Sequence, residues 1–286
     1  VVSVPLHEFP FYRSRLSSAG EPAPWTLDDL AEFAATTGDP FGGRLRAGSR
    51  VSVALQVEAS SEPPVWTALE PGELDAWAGG LARLWRRWGL VAGETIAFFD
   101  YGSSPCVLLA SASYVAYLKR GAADRLGVTA VCNDGVASMA GRMATILETV
   151  RPAAIVLRRD LITPLVDALR TAGVDLAGRL RWAAVTEVEG AAAPAEVARL
   201  AETWGVPVRR TLRADAAFLL AGDCDACGLF HLDRRLFRAE TLAAGAVAVT
   251  ARFAAHCPAV RYNIGPAELA RAGCTLEPAA ARLAWR

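Results

Sequence analysis

Two rhythms of apolar residues alternate along this chain, and they predict a run of strands and helices. Residues 51–57 alternate enough for a strand, and residues 71–90 place Leu74, Trp77, Leu81, Leu84, Trp85 and Trp88 on one side of an amphipathic helix. Helical spacing alone accounts for that aromatic stripe, so it reads as core. Residues 95–99 are a short apolar strand ending at Asp100-Tyr101-Gly102. A helix is predicted over 108–126, and a strand over 128–132 ends at Asn133-Asp134-Gly135. Asp134 is placed to cap a helix running to about Val150. A strand follows over 153–157, then a helix capped by Asp160 and ending near Gly173, a strand over 180–185 and a helix over Pro194–Trp204. Residues 1–50 are irregular, broken by Pro22, Pro24, Pro40 and Gly42-Gly43, with one capped helix start at Thr26.

Strand–helix alternation with short, wholly apolar strands argues an α/β fold, a mostly parallel sheet covered by helices on both faces. Ligands of such sheets sit beyond the carboxyl ends of the strands. That rule gathers Asp100, Tyr101, Asn133, Asp134, Thr186 and Glu187 around one expected pocket, although each also suits a helix cap or a solvent-facing position. The expected organisation is an N-terminal extension over 1–50, an α/β core over 51–215 and a smaller β-rich region over 216–286.

Composition narrows the function classes. The 286 residues are 53% hydrophobic and 21% charged, enough apolar content for a large core. Formal net charge is zero and Lys119 is the only lysine, so no electrostatic footprint for nucleic acid or an anionic membrane is present. The longest nearly apolar run, 105–118, falls short of the ~20 residues that span a bilayer. No signal pattern opens the sequence, and six scattered cysteines make no obvious disulfide framework, so the expected location is the cytoplasm. Ala- and Arg-rich usage points to a high-GC bacterial source.

Candidate metal chemistry is concentrated in Asp223-Cys224-Asp225-Ala226-Cys227-Gly228-Leu229-Phe230-His231. A Cys-x2-Cys-x3-His spacing brings three ligands around one tetrahedral Zn²⁺ if the chain turns at Gly228. Cys274, in a Gly-flanked loop position, is the expected fourth ligand, and Cys257 beside His256 is the rival. The alternative is that these cysteines are reduced and packed as small hydrophobes.

The same stretch, with Phe237 and Glu240 beyond it, resembles the segment after the active-site motif in phenylacetate–coenzyme A ligase-like members of the adenylate-forming superfamily, some of which hold zinc near this point. Other similarities fall in the family's order: Phe9-Pro10-Phe11-Tyr12-Arg13 resembles its N-terminal signature, Gly121 to Gly127 its helix-to-strand turn, and Val260-Arg261-Tyr262-Asn263-Ile264-Gly265 its Ile-Arg-Tyr-Arg-Thr-Gly-Asp strand. The resemblance implies the large N-terminal domain of these enzymes without the C-terminal lid domain.

The nucleotide motifs that the resemblance implies are degenerate. The family's Ser/Thr-Gly-Thr-Thr-Gly-Lys-Pro phosphate loop corresponds to Glu58-Ala59-Ser60-Ser61-Glu62-Pro63-Pro64. A carboxylate ~5 Å from a phosphate charge costs roughly 3 kcal/mol at an effective dielectric near 20, and proline offers no N–H. Thr211-Leu212-Arg213-Ala214-Asp215 stands where the family has Tyr-Gly-x-x-Glu, so only the acid is kept. Pro266 stands where an aspartate binds ribose. The expectation is therefore a structural zinc but no ATP or Mg²⁺, and an adenylation-deficient ligase homologue that keeps an acyl or aryl pocket. Such a protein would act on an aromatic or polyketide intermediate of specialised metabolism, by cyclisation or rearrangement. Its expected acid–base groups are Asp134, Tyr101, Glu187 and Asp215, with Asp100, Asn133 and Thr186 binding substrate. The other readings are a non-catalytic partner of another pathway enzyme and an ATP-dependent ligase with an unusual loop.

Overall fold

A computed structural model of the chain describes residues 4–57, 63–111, 118–270, 273–277 and 280–285. The chain divides into two compact units, one formed by residues 1–76 with 213–286 and the other by residues 77–212.

The first unit begins with a short helix α1 (Pro10–Arg13) and α2 (Leu27–Thr37). As expected, Thr26 caps α2: its hydroxyl accepts from the Asp29 N–H at 3.3 Å, and the Asp29 carboxylate accepts from the Thr26 N–H at 2.7 Å. A two-stranded antiparallel ribbon follows, β1 (Val53–Gln56) and β2 (Trp66–Leu69), and then α3 (Pro71–Arg87). The expected phosphate-loop stretch 58–62 lies outside the described residues.

Residues 77–212 alternate as the apolar pattern predicts. Strand β3 (Thr95–Asp100) is followed by α4 (Pro105–Leu108), α5 (Ala122–Leu126) and β4 (Thr129–Asp134), then by α6 (Ala140–Thr149) and β5 (Ala154–Arg158). Next come α7 (Ile162–Ala172), β6 (Trp182–Thr186), α8 (Pro194–Trp204) and β7 (Val208–Ala214). The spatial order is β4-β3-β5-β6-β7, and each described pairing among them is parallel. Side chains bury both faces. Phe99, Ile155, Leu157 and Val185 pack with Met143, Leu147, Leu165, Leu200 and Trp204 in one core cluster. Trp85 meets Phe98 at 5.4 Å between ring centres and Trp88 meets Trp182 at 5.1 Å. The aromatic stripe is core.

Three local expectations differ from the structure. Among the described residues, 108–126 is not one helix: α4 stops at Leu108, and α5 starts only after Gly121. A Cβ on Gly121 would lie 2.4 Å from the Ala110 carbonyl oxygen, so two backbone segments pass where a helix would have needed side-chain room. Asp134 caps no helix, because β4 runs through it in register with Asp100, and α6 begins at Ala140. Asp160 does not cap α7 either. It sits in a 3-10 turn (Arg159–Leu161), where Arg158 takes both of its carboxylate oxygens.

The remainder of the first unit is antiparallel: β8 (Leu219–Asp223), β9 (Phe230–Leu232), β10 (Phe237–Thr241), β11 (Val247–Ala251), β12 (Tyr262–Asn263), β13 (Ala267–Leu269) and β14 (Ala281–Trp285). Strand β9 pairs with β8 and β14, β14 with β13, and β10, β11 and β12 form a small sheet of their own. Residues 4–50 fall in the same unit as this β-rich stretch for a reason that local patterning does not display. The Trp25 indole N–H donates to the Val260 carbonyl at 2.6 Å. The Tyr12 hydroxyl donates to the Pro258 carbonyl at 2.8 Å and accepts from the Val260 N–H at 2.9 Å. Buried Arg44 lies over the Trp25 ring and donates to the Ala216 carbonyl.

Candidate functional site

Strand β9 and two loops build the metal-ligand cluster. After β8 the chain turns through Cys224 and Cys227 to Gly228, whose φ of +66° is the left-handed conformation that glycine adopts freely. It then enters β9, which points His231 into the unit, where it is buried. The loop between β13 and β14 brings Cys274 to the same place. The three sulfurs and one His231 ring nitrogen all lie within 4.8 Å of one another. Cys224 Sγ and Cys274 Sγ are 3.8 Å apart, and Cys227 Sγ is 3.2 Å from His231 Nε2. Two sulfurs each ~2.3 Å from one tetrahedral Zn²⁺ would stand ~3.8 Å apart. The same separation is far beyond the ~2.05 Å of a disulfide. The donor set therefore fits a closed Cys3His site.

The surroundings favour that chemistry. Backbone N–H groups of Glu277 and Leu276 and the neighbouring Cys224 and Cys227 thiols hold Cys274 below the ordinary thiol range, despite opposing desolvation. Desolvation pushes the Cys227 thiol up. Cys257 is not in the cluster: it is fully buried beside Arg44, and burial raises its thiol pKa. His256 faces Glu73 at 3.1 Å and Glu70 at 3.5 Å.

The second assembly lies within residues 77–212, at the carboxyl ends of the parallel strands. Strand β3 sits between β4 and β5, so the chain leaves it to one side and returns on the other, the reversal of strand order beside which ligands of such sheets bind. Asp100 ends β3 and is only 2% exposed. Its carboxylate accepts from the Tyr101 N–H at 2.8 Å and from the Thr186 hydroxyl at 3.3 Å. Asn133, also buried, donates to the Asp134 carbonyl at 3.0 Å, and Asp134 itself is exposed. The Tyr101 ring is 38% exposed, and the Arg158 guanidinium stacks 4.0 Å from its centre.

Arg158 is the residue that sequence reading misses here. It ends β5 in register with Thr186, 57 positions from the tyrosine it covers, and its only local signal is Asp160 two residues on. Burial opposes its charge, but Asp160, Tyr101 and Asp100 outweigh that and hold the guanidinium pKa above its ordinary value.

Two expected acid–base residues are already engaged by arginines. Glu187 pairs with Arg159 at 2.8 Å. Asp215 lies in the other unit, where buried Arg213 takes both its oxygens at 2.6 and 2.7 Å. Thr211, where the resemblance expects an adenine-stacking tyrosine, is buried inside β7.

Among the described residues, no helix is long and apolar enough to cross a membrane. No protein-family model and no curated protein matches the sequence. Solved structures do. An open conformation of 2-hydroxyisobutyryl-CoA ligase, in complex with 2-HIB-AMP and CoA, aligns with a TM-score of 0.79 at 18% identity, over 97% of this chain and 69% of that one. The same ligase in a postadenylation state with 2-HIB-AMP gives 0.78 at 17%, over 96% and 62%. Its thioesterification state gives 0.78 at 16%, over 96% and 63%. The chain thus spans 62–69% of the ligase chains it matches. At such identity the likeness is one of fold alone: along nearly its whole length this chain shares the fold of the matching part of 2-hydroxyisobutyryl-CoA ligase.

Proposed function

We propose that this chain binds an aromatic or polyketide-type small molecule beside the carboxyl ends of β3 and β5 and acts on it without adenylating it, while one structural zinc secures the β8–β9 turn to the loop before β14. The observation that carries this reading is the Arg213–Asp215 pair. In the resemblance, Asp215 is the one acid kept from a motif that helps to hold Mg²⁺, yet here both its oxygens are bonded to a buried guanidinium. Freeing it for a metal would leave Arg213 without that carboxylate in a buried site, at a cost of about 3–5 kcal/mol. Thr211 in the interior of β7 and Pro266 at the ribose position weaken nucleotide binding by independent routes.

These strand ends supply polar and aromatic groups that a small-molecule site uses: an exposed aromatic residue with Arg158 over its ring, a buried carboxylate at Asp100, and an exposed carboxylate at Asp134. Tyr101 and Asp134 are the acid–base groups of this reading, and ion pairing holds Glu187 and Asp215 in supporting roles. The test is carboxylate-dependent ATP–pyrophosphate exchange alongside turnover of candidate aromatic or polyketide intermediates without ATP. The expected result is background exchange, with ATP-independent turnover that Asp134→Asn lowers by ~10²–10⁴-fold. Exchange well above background would replace this reading with an ATP-dependent ligase. Absence of turnover with every intermediate would leave a non-catalytic partner.

A further inference from the structure

Glu277 touches two members of the Cys3His cluster from outside it. Its carboxylate oxygen lies 2.7 Å from His231 Nδ1. Its backbone N–H points at the Cys274 sulfur. The two ligands concerned come from different segments, His231 from β9 and Cys274 from the loop before β14, so one residue holds both in place. A carboxylate on Nδ1 fixes the imidazole tautomer: Nδ1 carries the proton, and Nε2, 3.2 Å from Cys227 Sγ, presents its lone pair to the thiols. It also orients the ring. The Glu277 side chain is 44% exposed, so no packing requirement explains its aim at a fully buried imidazole.

We propose that Glu277 is the positioning residue of this metal centre, holding His231 as an Nε2 ligand and steadying Cys274 through its backbone. This rests on the zinc reading above. Partial exposure makes Glu277 open to substitution without a core defect.

The experiment uses the full chain, purified without chelators, as wild type, Glu277→Gln, Glu277→Ala and Cys274→Ser. Zinc affinity is measured by competition with a chromophoric chelator, and the ligand set is read from the visible spectrum of the Co²⁺-substituted proteins. Glu277→Ala is expected to bind zinc 10–100-fold more weakly while its Co²⁺ bands stay those of a three-sulfur, one-nitrogen tetrahedral site. Glu277→Gln should recover part of the loss, because its amide oxygen still accepts from Nδ1–H without the charge. Cys274→Ser should change the spectrum itself. A Glu277→Ala protein with affinity within about twofold of a zinc-loaded wild type overturns the Glu277 assignment and leaves the zinc reading standing. A wild type that binds no zinc overturns both.

Discussion

Residues 77–212 are held by layers, and the unit built from the two ends of the chain is held by stitches. In the former, strands β3 to β6 each lead in sequence to a helix, and the contacts are apolar and redundant: Leu165 is one of some twenty buried side chains in a single cluster. In the latter, segments distant in sequence meet through individual polar atoms. Tyr12 reaches Pro258 and Val260, Trp25 reaches Val260, Arg44 reaches Ala216, and Glu73 accepts from the N–H groups of Ala255 and His256. The difference is in how damage spreads. Losing a methyl group from a layer costs in proportion to the cavity. Losing one partner of a buried stitch leaves the other unsatisfied and costs its full desolvation.

The contrast is tested most severely at Arg213. Replacing it with methionine fills similar volume but removes the guanidinium bonded to both oxygens of buried Asp215, and should destabilise the first unit by about 3–5 kcal/mol in denaturant melts. The double replacement Arg213→Met with Asp215→Leu should recover most of that loss. A single substitution costing under about 1 kcal/mol would show that the pair is no stitch. In the layered unit, Leu165→Ala should cost about 3 kcal/mol and lower hydrogen-exchange protection over β5, α7 and β6, with residues 213–286 unaffected. Equal loss of protection in both units would erase the distinction. The smallest effect is expected at Tyr12→Phe, about 1–3 kcal/mol for a single oxygen, since the Val260 N–H and Pro258 carbonyl both lose their partner. Protection should fall at Val260 and its neighbours rather than in residues 77–212.

The same contrast decides what was legible in the sequence. Layers are written in period: helix α8 matches its expected span from Pro194 to Trp204, and strands β3 to β6 fall within two residues of their apolar runs. The Cys-x2-Cys-x3-His spacing with a turn at Gly228 was readable because its ligands are scarce types set close together. Stitches leave no period. Glu277 is one acidic residue among many, and only the folded loop turns it toward His231. Arg158 on Tyr101 is invisible for the same reason. The errors at 108–126, Asp134 and Asp160 share a cause: apolar pattern and capping residue types describe what a segment suits, while a close backbone approach at Gly121, continued strand pairing at Asp134 and an arginine clamp on Asp160 decided what it does.

Because Tyr12 and Trp25 bond to residues 246 and 235 positions away, the two-ended unit has a timetable. On a ribosome its first segment emerges early and waits for its partners, while residues 77–212 can collapse on contacts that are already synthesised. Closing a loop of about 235 residues from the unfolded state costs about 2 kcal/mol more chain entropy than closing one of about 30. A folded intervening unit shortens that loop before it has to close. Conditions that delay the collapse of residues 77–212 should therefore expose the waiting aromatic segment around Phe9, Phe11, Tyr12 and Trp25 to the wrong partners.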